Sequence, residues 1–196
     1  MAEAARLTYM IPTLGRTTLT RVVDQIREQM LPTDELIVIA DGAIDAARAM
    51  MEERLADNVR YFEHGPTNNW GSEQLDFGTE HATGDFLCYI GDDDEMLPGA
   101  MEAVRAGVEG KVQPHCFAMY HSGRVLANTL AACNVSGQQI VVPNVPGRIP
   151  RWAEDRSQLS DYVFIQKVAN EWSDVGVRMH DDLICRLHAQ NFGRVF

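Results

Sequence analysis

The residues Gly91-Asp92-Asp93-Asp94-Glu95 follow the apolar run Phe86-Leu87-Cys88-Tyr89-Ile90 without a break and lead straight into Met96-Leu97-Pro98-Gly99. A run this apolar reads as a buried strand, so the carboxylates gather at its C-terminal end, where open α/β sheets place their ligands. Acids packed this closely repel one another unless a cation neutralises them. Hard oxygen donors of this kind suit Mg²⁺ or Mn²⁺, with a bound phosphate completing the shell. The competing reading is an acidic turn on a solvated surface.

The elements that must hold this cluster alternate along the chain. Leu7 to Pro12 is a short apolar run; Leu19, Val22, Val23, Ile26 and Met30 then recur at helical spacing until Pro32 closes the segment. Glu35 to Ala40 reads as a second buried strand ending at Asp41-Gly42, followed by an Ala-rich helix from about Ile44 to Leu55 and a third strand near Asn58 to Phe62. A polar loop with Gly65, Pro66, Asn68, Asn69 and Gly71 precedes a helix from about Ser72 to Ala82, which leads into the apolar run before the acids. Parallel strands with crossover helices follow from that order.

The second half changes character. After a helix from about Gly99 to Ala106, His115 to Tyr120 and Arg124 to Asn128 flank Ser122-Gly123 as a β-hairpin, and Gln139 to Val142 adds a strand. Pro143 to Trp152 holds three prolines and a glycine and reads as a loop. Ser160 or Asp161 then caps a helix whose apolar face is Ile165, Val168, Ala169 and Trp172. Val177 to Leu187 reads as an edge strand with solvated acids.

Composition narrows the function classes. The 196 residues, 45% of them hydrophobic, are enough for a substantial core and argue against disorder. A formal charge of −11 leaves no basic stripe for a nucleic-acid backbone, although a local basic loop remains open. No apolar stretch reaches membrane-spanning length, and Met-Ala-Glu-Ala-Ala-Arg carries no signal-peptide core or lipidation motif, so the expected address is cytoplasmic. Cys88, Cys116, Cys133 and Cys185 lack Cys-x-x-Cys spacing and read as small apolar residues in a reducing compartment.

Four ordered segments carry a family resemblance. Met10-Ile11-Pro12-Thr13-Leu14-Gly15-Arg16, Ile37-Val38-Ile39-Ala40-Asp41-Gly42-Ala43, Ala82-Thr83-Gly84-Asp85-Phe86 and the acidic cluster through Leu97-Pro98-Gly99 together resemble family 2 glycosyltransferases of the GT-A fold. Ser160-Asp161-Tyr162-Val163-Phe164 is similar to the family's Glu-Asp motif, and Arg186-Leu187-His188 to its late Arg-x-His. The resemblance implies an α/β, Rossmann-like GT-A fold with a mainly parallel central sheet and a smaller antiparallel element. It implies one domain over residues 1–196, with a nucleotide-sugar and metal half at 1–100 and an acceptor half at 101–196.

The same resemblance implies transfer of a sugar from a nucleotide-diphosphate donor to an acceptor hydroxyl, with inversion and with Mn²⁺ or Mg²⁺ on the diphosphate. Aligning Leu97-Pro98-Gly99 makes Asp93 the metal ligand, with Asp92 or Asp94 assisting; literal Asp-x-Asp spacing selects Asp92 and Asp94. His188 is the expected third ligand. Asp161, in the first turn of its helix, is the candidate base, because the helix dipole favours its charged form; Asp181 and Asp182 are the fallback. Pro12, Thr13, Arg16 and Asp41 lie just beyond the first two strands and, with Asp92, are expected around the nucleotide, whereas Gln74 and Asp76 read as polar surface.

Arg148, Arg151 and Trp152 are candidates for the acceptor, through guanidinium pairing and an aromatic face. The alternative is that Trp152 anchors its loop while the arginines offset Glu154 and Asp155. Trp70 likewise lines the cleft or pins a loop. The acceptor itself, whether a glycan, a lipid-linked sugar or a modified nucleotide, is not readable from the sequence, which also leaves a homo-oligomer open. Two other classes compete. A sugar-1-phosphate nucleotidyltransferase would need a Gly-rich loop and Lys after the first strand, where only Arg16 offers charge. A noncatalytic nucleotide-sugar-binding relative would tolerate Ala40 and Gly91, which stand where the family has Asp.

Overall fold

The computed structural model describes residues 4–126, 129–154, 157 and 159–187. Four parallel strands, β1 (Leu7–Thr13), β2 (Glu35–Asp41), β3 (Val59–His64) and β4 (Phe86–Tyr89), alternate with helices α1 (Leu19–Arg27), α2 (Asp45–Glu52) and α3 (Ser72–His81). After the two-residue strand β5 (Glu95–Met96) come α4 (Ala100–Val108), the hairpin β6 (His115–His121) and β7 (Arg124–Leu126), a 3-10 turn at Gly137–Gln139, β8 (Ile140–Pro143), α5 (Ser160–Glu171) and β9 (Arg178–Leu187). The sheet runs β3-β2-β1-β4-β8-β6-β9-β5, with β7 paired to β6.

Period-two burial explains the layers. β2 sends Leu36, Val38 and Ala40 to one face, against α1, α2 and α4, and Ile37 and Ile39 to the other, against Leu75 of α3 and Phe164 and Ile165 of α5. Helices on both faces leave only the strand ends for a ligand. The chain steps from β1 outward to β2 and β3, then returns to place β4 on the other side of β1, so the order reverses between β1 and β4. Such a reversal opens a crevice at the C-terminal strand ends, and the acidic run leaves β4 at that point.

The second half supplies the antiparallel element: β8 runs against β4 and β6, and β7 against β6. The hairpin turns at Ser122 and Gly123, both at positive φ (49° and 86°), as a primed two-residue turn requires. Three sequence expectations change. β9 is an interior strand along its last residues, flanked by β6 and β5, although Asp181 and Asp182 face outward. Neither Ser160 nor Asp161 caps α5; Leu159 holds that position, and Asp161 lies within the first turn. β5 is unforeseen, because its partner Cys185-Arg186 is remote in sequence.

Candidate active site at the carboxylate loop

Asp92 is 1% exposed and accepts the Thr13 hydroxyl at 2.6 Å, the Leu14 amide at 3.1 Å and the Arg16 guanidinium. One buried carboxylate thus closes the β1 end against the β4 end. Three donors on Asp92 give it the part of a strut between the two strand ends, and Asp93 and Asp94 follow it on the loop. Arg16 also approaches Asp93, at 3.6 Å, and Arg21 of α1 donates to the carbonyl oxygens of Asp93 (3.2 Å) and Asp94 (2.9 Å), fixing the loop backbone.

Asp94 is buried, and its carboxyl is pushed up to about 7 by that burial and by the charge of Asp93. Its Oδ2 accepts the Gly91 amide at 3.0 Å and the Gln138 amide at 2.6 Å. A desolvated carboxylate beside a second carboxylate is short of positive charge, so Asp93 and Asp94 fit a divalent cation in donor chemistry. Among the described residues no group of three His, Cys, Asp or Glu side chains gathers to hold one. Phosphate oxygens would have to complete the shell. His188 lies outside the described residues.

Asp161 comes to the same place from α5. Its Oδ2 accepts the Ser136 hydroxyl at 2.6 Å and the Gly137 amide at 3.0 Å, and Ser136 also contacts the Gln138 side chain. A chain of contacts therefore runs Asp94, Gln138, Ser136, Asp161. Ser136 and Gln138 were not singled out from sequence, but Ser136-x-x-Gln139 has capping-box spacing, which marks a turn held by side chains; the Ser136 amide does donate to Gln139 Oε1 at 3.0 Å.

The β2 end is organised differently from expectation. Asp41 accepts the amides of Thr67 (2.6 Å) and Asn68 (3.2 Å) and the side chain of Gln74 (2.8 Å), so it holds the loop before α3 in shape. Gln74 and Asp76 are buried rather than surface-polar. Remote partners explain this: Gln74 serves Asp41 and the His64 carbonyl, and Asp76 accepts the backbone amides of Trp152 (2.8 Å) and Ala153 (3.1 Å). Gly71 lies so close to Pro12 that a Cβ there would sit 2.7 Å from the Pro12 ring, and its φ is 84°. Beside it Trp70 is 71% exposed, so it does not pin the loop from within.

The acceptor candidates separate. Trp152 is 2% exposed and stacks on Phe164 at 3.7 Å, so it anchors the loop and offers no open face. Arg148 stacks on Trp172 and bonds the Glu171 carbonyl and Asp174 at the C-terminal end of α5. Asp161 sits at the other end, roughly 15 Å away at 1.5 Å per helical residue. Arg148 therefore pins the helix remote from the acids. Arg151 bonds Asp76 at 3.3 Å and remains largely exposed.

The Glycosyl transferase family 2 model matches residues 8–113, more than half of the chain. Among curated proteins, the GalNAc(5)-diNAcBac-PP-undecaprenol beta-1,3-glucosyltransferase of Campylobacter jejuni is 27% identical over 107 residues, covering 50% of this chain and 33% of its own length. Among solved structures, S. aureus TarS 1-349 superposes with a TM-score of 0.75 at 14% identity, covering 92% of this chain and 60% of that one. The mannosyltransferase PcManGT of Pyrobaculum calidifontis, solved with GDP-Man and Mn²⁺, gives 0.75 at 16% identity, with 98% and 59% covered. The TarS fragment was also solved with UDP-GlcNAc. The chain thus spans a third of the curated relative and about 60% of these structures, and its fold is the expected GT-A arrangement.

Proposed function

Since the chain belongs to glycosyl transferase family 2, we propose that it transfers a sugar from a nucleoside-diphosphate donor to an acceptor hydroxyl, with inversion at the anomeric carbon. The observation that carries this reading is the meeting of Asp94 and Asp161 at the β1/β4 crevice, joined through Ser136 and Gln138, with Asp93 beside Asp94. Asp93 and Asp94 would hold Mn²⁺ or Mg²⁺, which supplies positive charge to the departing diphosphate. Arg16, already paired with Asp92 and Asp93, adds a fixed cation on the same side. Pro12 and the strand ends at Thr13 and Asp41 would border the nucleotide, with the Thr13 and Asp41 side chains holding the crevice walls through Asp92 and Gln74. Asp161 takes the proton of the acceptor hydroxyl as the new glycosidic bond forms, and the diphosphate leaves with the electron pair of the old one.

The similarity to a transferase named for an undecaprenol-linked substrate supports a lipid-linked sugar as acceptor. No helix among the described residues is long and apolar enough to cross a membrane. The test is a thermal-shift panel of UDP, GDP, CDP, ADP and TDP, each with Mn²⁺, with Mg²⁺ and with chelator. A metal-dependent rise for one nucleotide is expected, because a ligand selective for the native state stabilises it by mass action. The matching sugar nucleotide, beginning with UDP-GlcNAc and GDP-mannose, is then followed for diphosphate release. Absence of both responses would overturn the reading.

A further inference from the structure

Asp94 and Asp161 are bracketed alike. In each, Oδ2 takes two donors, one a backbone amide and one a side chain: Gly91 and Gln138 for Asp94, Gly137 and Ser136 for Asp161. Among the described residues neither Oδ1 receives a hydrogen bond. Two donors on one oxygen hold a carboxylate against rotation and leave the second oxygen with its lone pairs available.

The turn that supplies three of these four donors is itself rigidly mounted. Gln139 is 1% exposed and donates to the carbonyls of Phe117 (2.9 Å) and Leu126 (3.1 Å), locking the turn onto the β6–β7 hairpin. Gly137 has no room for a side chain, since a Cβ would meet the Trp152 ring at 2.9 Å. That ring stacks on Phe164, which stands on α5 three residues after Asp161. Turn, indole, phenyl and carboxylate close a ring of contacts.

We propose that Ser136 and Gln138 are positioning residues that orient both carboxylates at once, Gln138 aiming Asp94 at the cation and Ser136 aiming Asp161 at the acceptor hydroxyl. This rests on the functional reading above. It adds that the cation pole and the base pole share one rigid turn, so their separation is set by the fold before any substrate arrives. Preorganised partners behind a ligating or proton-accepting side chain typically hold a tenfold or larger share of affinity or rate.

The test uses the full chain and two independent readouts. Binding of Mn²⁺ alone, read from loss of the free-ion signal in electron paramagnetic resonance, should weaken about tenfold in Gln138→Met, with Gln138→Leu as a second variant if the first folds poorly. Diphosphate release from UDP-GlcNAc or GDP-mannose should fall about tenfold or more in Ser136→Ala through kcat, with donor KM and Mn²⁺ affinity unchanged. Ser136→Thr should restore it by returning the hydroxyl. Because the bracket acts as one unit, combining Ser136→Ala with Gln138→Met should cost less than the two losses multiplied together. Unchanged Mn²⁺ affinity in both Gln138 variants, or unchanged kcat in Ser136→Ala, would overturn the proposal. Full turnover in Asp161→Asn would overturn the base reading and with it the role given to Ser136, while the Mn²⁺ readout decides Gln138 even where neither donor is cleaved.

Discussion

The Thr13 hydroxyl donates to Asp92 at 2.6 Å, joining the ends of β1 and β4 across 79 residues of sequence. Asp92 is the anchor of the crevice. Substituting Asp92→Ala strands the Thr13 and Leu14 donors and removes the buried partner of Arg16, so unfolding free energy should fall by about 1 to 3 kcal/mol. Urea denaturation of the two proteins checks this; a loss under about 1 kcal/mol would mean that water replaces the carboxylate.

Asp161→Asn keeps the side chain's shape and one oxygen for the bracket but abolishes proton acceptance. Transfer to the acceptor should fall by about 10² to 10⁴, while the nucleoside diphosphate binds as before. Kinetics with a competent acceptor, together with calorimetric titration of the nucleotide, separate the two effects.

Removing the cation should mimic removing its ligand. Chelator should cancel the nucleotide-induced rise in melting temperature, and Asp93→Ala should make that rise insensitive to chelator by abolishing its Mn²⁺-dependent part. Retention of the full Mn²⁺ effect in Asp93→Ala would exclude Asp93 as a ligand.

Arg148→Ala should lower stability by about 1 kcal/mol, through loss of the stack on Trp172 and the contacts to Glu171 and Asp174. Transfer should be unchanged. A tenfold rise in acceptor KM without loss of stability would place Arg148 at the acceptor after all.

Stability should also report a buried histidine. His115 is 0% exposed and bonds His180 at 2.9 Å; burial, then the His180 and Arg178 charges, lower its pKa from 6.5 to about 4. Between those values the unfolded chain binds a proton that the folded one refuses. The stabilisation is therefore complete above pH 6.5 and is lost as pH falls towards 4, by about 3 kcal/mol at most. Lys111, Asp181 and Asp182 lie on the flanking segments, so the comparison is with His115→Phe, whose unfolding free energy should fall less over that window.

How far sequence foretold this molecule depends on where each residue finds its partner. β1 to β4 were legible because continuous apolar runs need no distant information to be buried, and the acidic loop was legible because it ends one of them. Gln74 and Asp76 were misread, since their partners, Asp41 and the amides after Arg151, are supplied by tertiary contacts. β5 is two residues long and exists only through Cys185 and Arg186. Ser136 and Gln138 carry no charge to draw notice; their importance comes from standing between two acids that topology brings together. Trp152 is an aromatic beside arginines, a pattern shared by ligand platforms and core anchors, and burial alone told them apart.

The pairing of Glu95 with Arg186 spans 91 residues, with the Arg186 guanidinium on Glu95 at 2.9 Å. That pair ties the far end of the acidic loop to β9, so a loop that starts on the last parallel strand finishes against the strand paired with β6, and any slip of β9 along β6 would be carried into the loop.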